Sequence, residues 1–260
     1  MNYALSCRVF LFLEKIFQKK KYGNGESDME FVMEGLSKSF EEKQVLKDIH
    51  FRFEEGKIYG LLGRNGAGKT TLFNCLNKDI DCDGGRFYFE VDGKEKNVCT
   101  EDIGYVLSTP TVPEFLTGRE FLKFFIEINE SSIENVRKLD EYFEMVKIEK
   151  EDTNKLLRDY SHGMKNKMQM LVNMIVSPKL LLLDEPLTSL DVVAAEEIKE
   201  ILKQQKNGKI TILSTHILDL ALDMCDSILL LHHGSIQEID RNELGDEGLK
   251  QKIIEALRDE

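Results

Sequence analysis

The stretch KIYGLLGRNGAGKTTLFNCL, Lys57 to Leu76, constrains this chain more than any other. A short apolar strand pattern runs into Gly63-Arg64-Asn65-Gly66-Ala67-Gly68-Lys69-Thr70, which satisfies G-x-x-x-x-G-K-[ST], and a helical pattern follows at once. Glycines let such a loop take positive φ and turn successive N–H groups inward, toward phosphate oxygens. Gly63, Asn65, Gly66, Ala67, Gly68, Lys69, Thr70 and Thr71 are therefore candidate nucleotide-binding residues. Lys69 is placed to reach the β and γ phosphates of a nucleotide such as ATP, and the Thr70 hydroxyl to ligate Mg2+. A glycine-rich turn that merely joins strand to helix is the bland alternative. Strand, loop, Lys-Thr and helix in that order weigh against it.

A phosphate loop alone leaves kinases, GTPases and motors open, and a second carboxylate has to decide. In KLLLLDEPLTSLD, Lys179 to Asp191, four consecutive leucines read as a strand buried on both faces. Asp184 at its C-terminal end is placed to hold Mg2+ through water, and Glu185 to polarise the attacking water. Taken singly, Asp-Glu after an apolar strand is more often a solvated strand end. Beside a phosphate loop, the catalytic reading prevails. KITILSTHILDLA, Lys209 to Ala221, repeats the order of buried strand, polar residue and helix. His216 sits at the exit of that strand, where open α/β sheets place ligand-contacting residues, and is read as a γ-phosphate contact.

Between these segments, YSHGMKNKMQM (Tyr160 to Met170) has the pattern of a helix start, with Ser161 at the N-cap position. Such an end offers free backbone N–H groups and the positive pole of a helix dipole, which suit an anion. Upstream, TGREFLKFFIEI carries Phe121, Leu122, Phe124, Phe125 and Ile128 at helical intervals, and IENVRKLDEYFEMVKI gives a second amphipathic stretch. These aromatics read as a lobe's own core rather than a cofactor box.

The formal charge of −12, from 35 basic and 47 acidic residues, argues against nucleic acid as the main partner, which requires a dense basic surface. Five cysteines, spread without a C-x-x-C pair, suggest neither a disulfide framework nor zinc and fit a reducing cytosol. No apolar run approaches the roughly 18 residues of a membrane span. Residues 1–28 read as an N-terminal extension, helical or partly disordered. If helical, Leu5, Val9, Phe12, Leu13 and Ile16 form one stripe beside Arg8, Lys15 and the run Lys19 to Lys21. That stripe suits a membrane surface or a partner; packing on its own domain and translation from an early start are the alternatives. A signal peptide is disfavoured because no small-residue cleavage site follows. His232 and His233, in LLLHHGSIQEI, read as two strands about a glycine turn rather than a metal site.

From about Phe31 to Leu244 the chain resembles the ATP-binding subunits of ABC transporters, with the motifs in the family's order. By that likeness LSKSFEEKQVLKDIHF carries the adenine-stacking aromatic, Phe40, with Val45 nearby, and GRNGAGKTT is the Walker A loop. DIGYVLSTPTVPEFLTGREFL is similar to the Q-loop and its lead into a helical lobe, YSHGM to the signature motif, and LLLLDEP to Walker B. SLD, Ser189 to Asp191, resembles the D-loop, where Asp191 couples the dimer, and His216 the switch histidine. Two departures stand out: Ser108 occupies the position where glutamine is usual and would touch Mg2+, and the signature reads Tyr-Ser-His-Gly-Met where Leu-Ser-Gly-Gly-Gln is commonest. Ser161 and Gly163 are kept, and the resemblance implies that they bind the γ-phosphate of an ATP held by a second subunit.

The resemblance implies an α/β fold with a P-loop NTPase core of the ABC ATPase type, an antiparallel β subdomain and an inserted helical lobe. The ATPase domain is expected over 29–245, with the lobe at about 109–165 and a C-terminal helix at 246–260, leaving no room for an added regulatory domain. The implied activity is hydrolysis of ATP with Mg2+, driving transport, export over import, through a separate integral membrane permease. The partners implied are that permease and a second ATPase subunit, identical or not, and the location is cytoplasmic, peripheral at the inner face of the cell membrane. An ABC protein serving another process, and a degenerate cassette that binds ATP without turnover, are the rivals; intact Lys69, Asp184, Glu185 and His216 oppose the second.

Overall fold

The computed structural model describes residues 29–133, 135–188 and 190–239 together with positions 251, 253 and 255. The readings of residues 1–28, of Ser189 and of most of the 246–260 helix lie outside them; the three described positions near the C-terminus are helical. The chain divides into two units, one holding Thr100–Pro178 and Pro186–Gln205, the other the described parts of Glu26–Cys99, Lys179–Glu185 and Lys206–Glu260.

The second of these units contains two sheets. In the first, β1 (Met29–Phe40), β2 (Lys43–Glu54), β4 (Gly84–Val91) and β5 (Lys94–Asn97) lie antiparallel in the order β2-β1-β4-β5. Alternation puts Phe31, Phe53 and Phe89 on its buried face, with the rings of Phe31 and Phe89 5.3 Å apart. The other sheet is built on β3 (Ile58–Leu62), β7 (Leu180–Asp184), β8 (Ile210–Thr215), β9 (Ser227–His232) and β10 (Ser235–Ile239). Their order is β10-β9-β3-β8-β7, parallel except for the β9–β10 hairpin. Every residue of β3, β7 and β8 is buried, as expected of strands covered on both faces. Truncating one of the fully buried leucines, such as Leu182, would cost about 2–5 kcal/mol. His233 and Gly234, at φ 47° and 83°, make the two-residue turn between β9 and β10 anticipated from LLLHHGSIQEI.

Register places the catalytic candidates. Leu62 lies opposite Thr215 and Asp184 opposite Ser214, so β3, β7 and β8 end together. The residues that follow them, Gly63, Glu185 and His216, leave the sheet at its carboxyl edge, and helix α1 (Lys69–Leu76) departs from the loop after β3.

The other unit holds β6 (Ile103–Val106) and four helices, α2 (Gly118–Asn129), α3 (Leu139–Met145), α4 (His162–Val176) and α5 (Val192–Gln204). Thr117 and Glu120 form a reciprocal capping box that starts α2. Phe121, Leu122, Phe125, Phe143, Leu171 and Ile201 belong to one buried cluster, the lobe core read from the sequence. Two details differ. Phe124 is 44% exposed and Ile128 only half-buried, whereas Ile126 and Asn129 are buried, the Asn129 amide donating to the Phe125 carbonyl at 2.8 Å, because the buried face runs through 121, 122, 125, 126 and 129 at regular helical spacing. The second amphipathic stretch is helical only from Leu139: Lys138 is extended, and the Tyr142 hydroxyl accepts the Arg137 amide at 3.1 Å, satisfying it outside the helix.

Candidate functional site

The loop after β3 is shaped by glycine where no side chain fits. Gly66 and Gly68 take φ of 89° and 109°. A Cβ on Gly68 would lie 2.9 Å from Val45 Cγ1, and one on Gly63 2.9 Å from the Leu231 carbonyl oxygen. This places Val45 directly against the loop. Lys69, 6% exposed, donates from Nζ to the carbonyls of Gly63 at 2.6 Å and Arg64 at 3.0 Å. Thr70 and Asn65 are exposed, Ala67 is buried and Thr71 half-buried.

Strands β7 and β8 bring polar side chains to the edge where the loop after β3 leaves the sheet. Thr70 Oγ1 donates to Asp184 Oδ2 at 3.0 Å, and Ser214 Oγ to Asp184 Oδ1 at 2.6 Å. Glu185 lies 3.6 Å from Lys69 Nζ through one oxygen and 2.9 Å from His216 Nδ1 through the other. An ionised carboxylate can only accept, so His216 then donates from Nδ1 and presents Nε2 elsewhere. Glu185 has φ 47°, a left-handed backbone that costs a non-glycine residue roughly 1–3 kcal/mol. Its amide is held in place by the Ser214 carbonyl at 3.2 Å and the Ser214 hydroxyl at 3.1 Å. Strain held by specific bonds at a strand exit is a feature of sites that aim a side chain.

This arrangement suits a phosphorylated substrate and a hard cation. The glycine-lined loop leads into a helix N-terminus, an environment that favours an anion. The hydroxyl of Thr70 and the carboxylate of Asp184 supply adjacent oxygen donors of the kind Mg2+ takes while keeping several waters. Glu185, half-buried between a cation and an imidazole, can orient and accept a proton from water. Phe40 is 46% exposed at the end of β1, with the Lys38 ammonium over its ring, 5.4 Å from the centre.

The remaining candidates belong to the helical unit. Ser161 caps α4, accepting the Met164 amide at 3.2 Å, and a Cβ on Gly163 would approach Ala194 Cβ to 3.1 Å. Asp191 caps α5, accepting the Ala194 amide at 2.9 Å. Ser108 is exposed just beyond β6.

Three contacts escaped sequence reasoning. Ser214 bonds the Asp184 carboxylate and the Glu185 amide, and only its polar side chain at the end of an apolar strand hinted at it. Gln169 Oε1 accepts the Leu107 amide, next to Ser108, at 3.1 Å, and Asn166 Nδ2 donates to the Pro186 carbonyl at 3.4 Å. Neither amide-bearing residue stands out within the helical pattern of α4.

Residues 46–188 match the family described as ABC transporter. An uncharacterized ABC transporter ATP-binding protein of Methanocaldococcus jannaschii is 36% identical over 217 residues, covering 80% of this chain and 79% of that protein. The bacitracin transport ATP-binding protein of Enterococcus faecalis is 34% identical over 228 residues, covering 83% and 71%. Among solved structures, one described as the ATP binding subunit of an ABC transporter superposes with a TM-score of 0.73 at 26% identity, over 87% of this chain and 98% of that one. With the phosphate loop, the paired carboxylates and the histidine at one sheet edge, these likenesses make the chain a member of the ABC transporter family, an ATP-binding subunit that hydrolyses ATP.

Proposed function

We propose that Lys69, Thr70, Asp184, Glu185 and His216 form the hydrolytic centre, and that it works in a head-to-tail dimer at the inner face of a membrane. The contact of Glu185 with both Lys69 and His216 carries this reading, because it places a proton acceptor between the phosphate-binding ammonium and the candidate γ-phosphate contact. Lys69 and the loop amides bind the phosphates, with Gly63, Asn65, Gly66, Ala67, Gly68 and Thr71 shaping the cradle. Phe40 and Val45 receive the base. Thr70 and Asp184 would hold Mg2+, which would supply positive charge against the phosphates. Glu185 orients water and accepts its proton, and His216 fixes the Glu185 carboxylate.

Ser161 and Gly163 engage the ATP of a second copy of this chain, with Asp191 at the seam, and an integral membrane permease receives the motion. Export is the favoured direction, supported by a relative whose name ties it to bacitracin transport.

Glu185→Gln removes proton acceptance and keeps the phosphate contacts. Hydrolysis should fall about 10²- to 10⁴-fold while ATP binding persists, and ATP should trap a dimer on size exclusion. Turnover near wild type in that variant would remove Glu185 from the mechanism.

A further inference from the structure

Helix α4 covers Met168, Leu171, Val172 and Ile175, and it covers three amide side chains as well. Asn166, Gln169 and Asn173 follow one another at intervals of three and four, so they form a single stripe, and all three are buried. A buried amide is tolerated when its donors and acceptors are bonded. Asn173 does this within the helix, donating from Nδ2 to the Gln169 carbonyl at 2.8 Å. The other two reach out of it. Asn166 Nδ2 donates to the Pro186 carbonyl at 3.4 Å, and Gln169 Oε1 accepts the Leu107 amide at 3.1 Å.

Each of these two amides has only half of its capacity engaged. Asn166 Oδ1 and Gln169 Nε2 are buried and, among the described residues, have no hydrogen-bond partner. Both amides are therefore kept at a cost in desolvation, and what each gains is a hold on one backbone segment. The two segments flank the chemistry. Pro186 follows Glu185, and Leu107 precedes Ser108. Glu185, at φ 47°, stands before a proline, where extended backbone is favoured. Its own amide is bonded by Ser214, and the next carbonyl along the chain is bonded by Asn166.

We propose that Asn166 and Gln169 are positioning residues for ATP hydrolysis, Asn166 fixing the backbone that aims Glu185 and Gln169 the backbone that carries Ser108. The first half rests on the assignment of Glu185 as proton acceptor. Each residue acts through the segment it bonds, so its loss lowers kcat and spares ATP binding through Lys69.

Steady-state ATPase rates of the full chain, with ATP binding and thermal melts of the same samples, test the proposal. Asn166→Leu and Gln169→Met should each lower kcat about 10- to 100-fold and leave KM for ATP unchanged. Asn173→Leu alters the same buried stripe without removing a bond to either segment, and should keep wild-type turnover. In a Glu185→Gln background Asn166→Leu should have no further effect, because its influence passes through Glu185. Amide exchange followed by mass spectrometry should quicken in the peptide that carries Leu107 when Gln169 becomes Met. Unchanged kcat or slow Leu107 exchange would overturn the proposal. So would an equal loss in Asn173→Leu, a loss that follows the melting temperature, or a further full loss from Asn166→Leu on top of Glu185→Gln. Turnover near wild type in Glu185→Gln alone would instead overturn the assignment of Glu185, and the role of Asn166 with it.

Discussion

The hydroxyl of Ser214 donates to Asp184 Oδ1 at 2.6 Å and accepts the amide of Glu185 at 3.1 Å. One small side chain on β8 therefore holds the carboxylate of Asp184 and the backbone of Glu185. Ser214→Ala should leave the fold intact and lower ATP turnover by about 10- to 100-fold, the range found when groups that orient metal or catalytic ligands are lost. Steady-state ATPase rates with thermal melts of the same protein check it. Loss of turnover only in step with loss of folding would contradict a positioning role.

Ser108 and Gln169 make a second case. A glutamine at 108 could reach Mg2+ and the nucleophilic water directly, whereas a serine hydroxyl is about two bonds shorter and needs an intervening water. Ser108→Gln should raise hydrolysis a few fold or sharpen its Mg2+ dependence, equivalent to under about 1.4 kcal/mol of barrier. Because Gln169 holds the neighbouring Leu107 amide, the gain should shrink in a Gln169→Ala background. A double-mutant cycle of ATPase rates across a Mg2+ titration checks both. Equal gains in the two backgrounds would separate Gln169 from the loop.

Burial of the Lys209 ammonium pushes its pKa below the usual lysine range. With the folded value below the unfolded one, the unfolded chain binds more protons between them, so stability rises with pH across that window, up to about 10.4. Below the window the charged ammonium is a standing cost. Lys209→Met should therefore raise Tm at neutral pH, by about 2–4 °C for each kcal/mol gained, with the advantage shrinking as pH climbs toward that upper limit. Melting curves across alkaline pH check the sign.

The chemistry of this chain was most legible where it is contiguous. Gly63 to Thr70, Asp184 with Glu185, and His216 each follow a buried strand, and parallel register alone then brings them to one edge. Contacts assembled from distant segments left no such trace. Ser214 meets Asp184 across a strand pair, and Gln169 meets Leu107 across 62 residues. Periodicity found Phe121, Leu122 and Phe125 of the lobe's core but misplaced Phe124, since hydrophobic residues on neighbouring positions of a helix do not by themselves reveal which side of it is covered.

If the phosphate loop of one chain acts with Ser161 of another, as proposed, mixing two inactive variants should restore turnover. Lys69→Ala removes phosphate binding, and Ser161→Arg places bulk where the second copy's γ-phosphate docks while leaving ATP binding through Lys69 and Phe40. Each alone should be inactive. A mixed dimer contains one site made of an intact Lys69 and an intact Ser161, so an equal mixture should recover roughly a quarter of wild-type turnover if pairing is random and sites act independently. No recovery in a mixture shown to form mixed dimers, or loss of ATP binding by Ser161→Arg as complete as that of Lys69→Ala, would contradict the account.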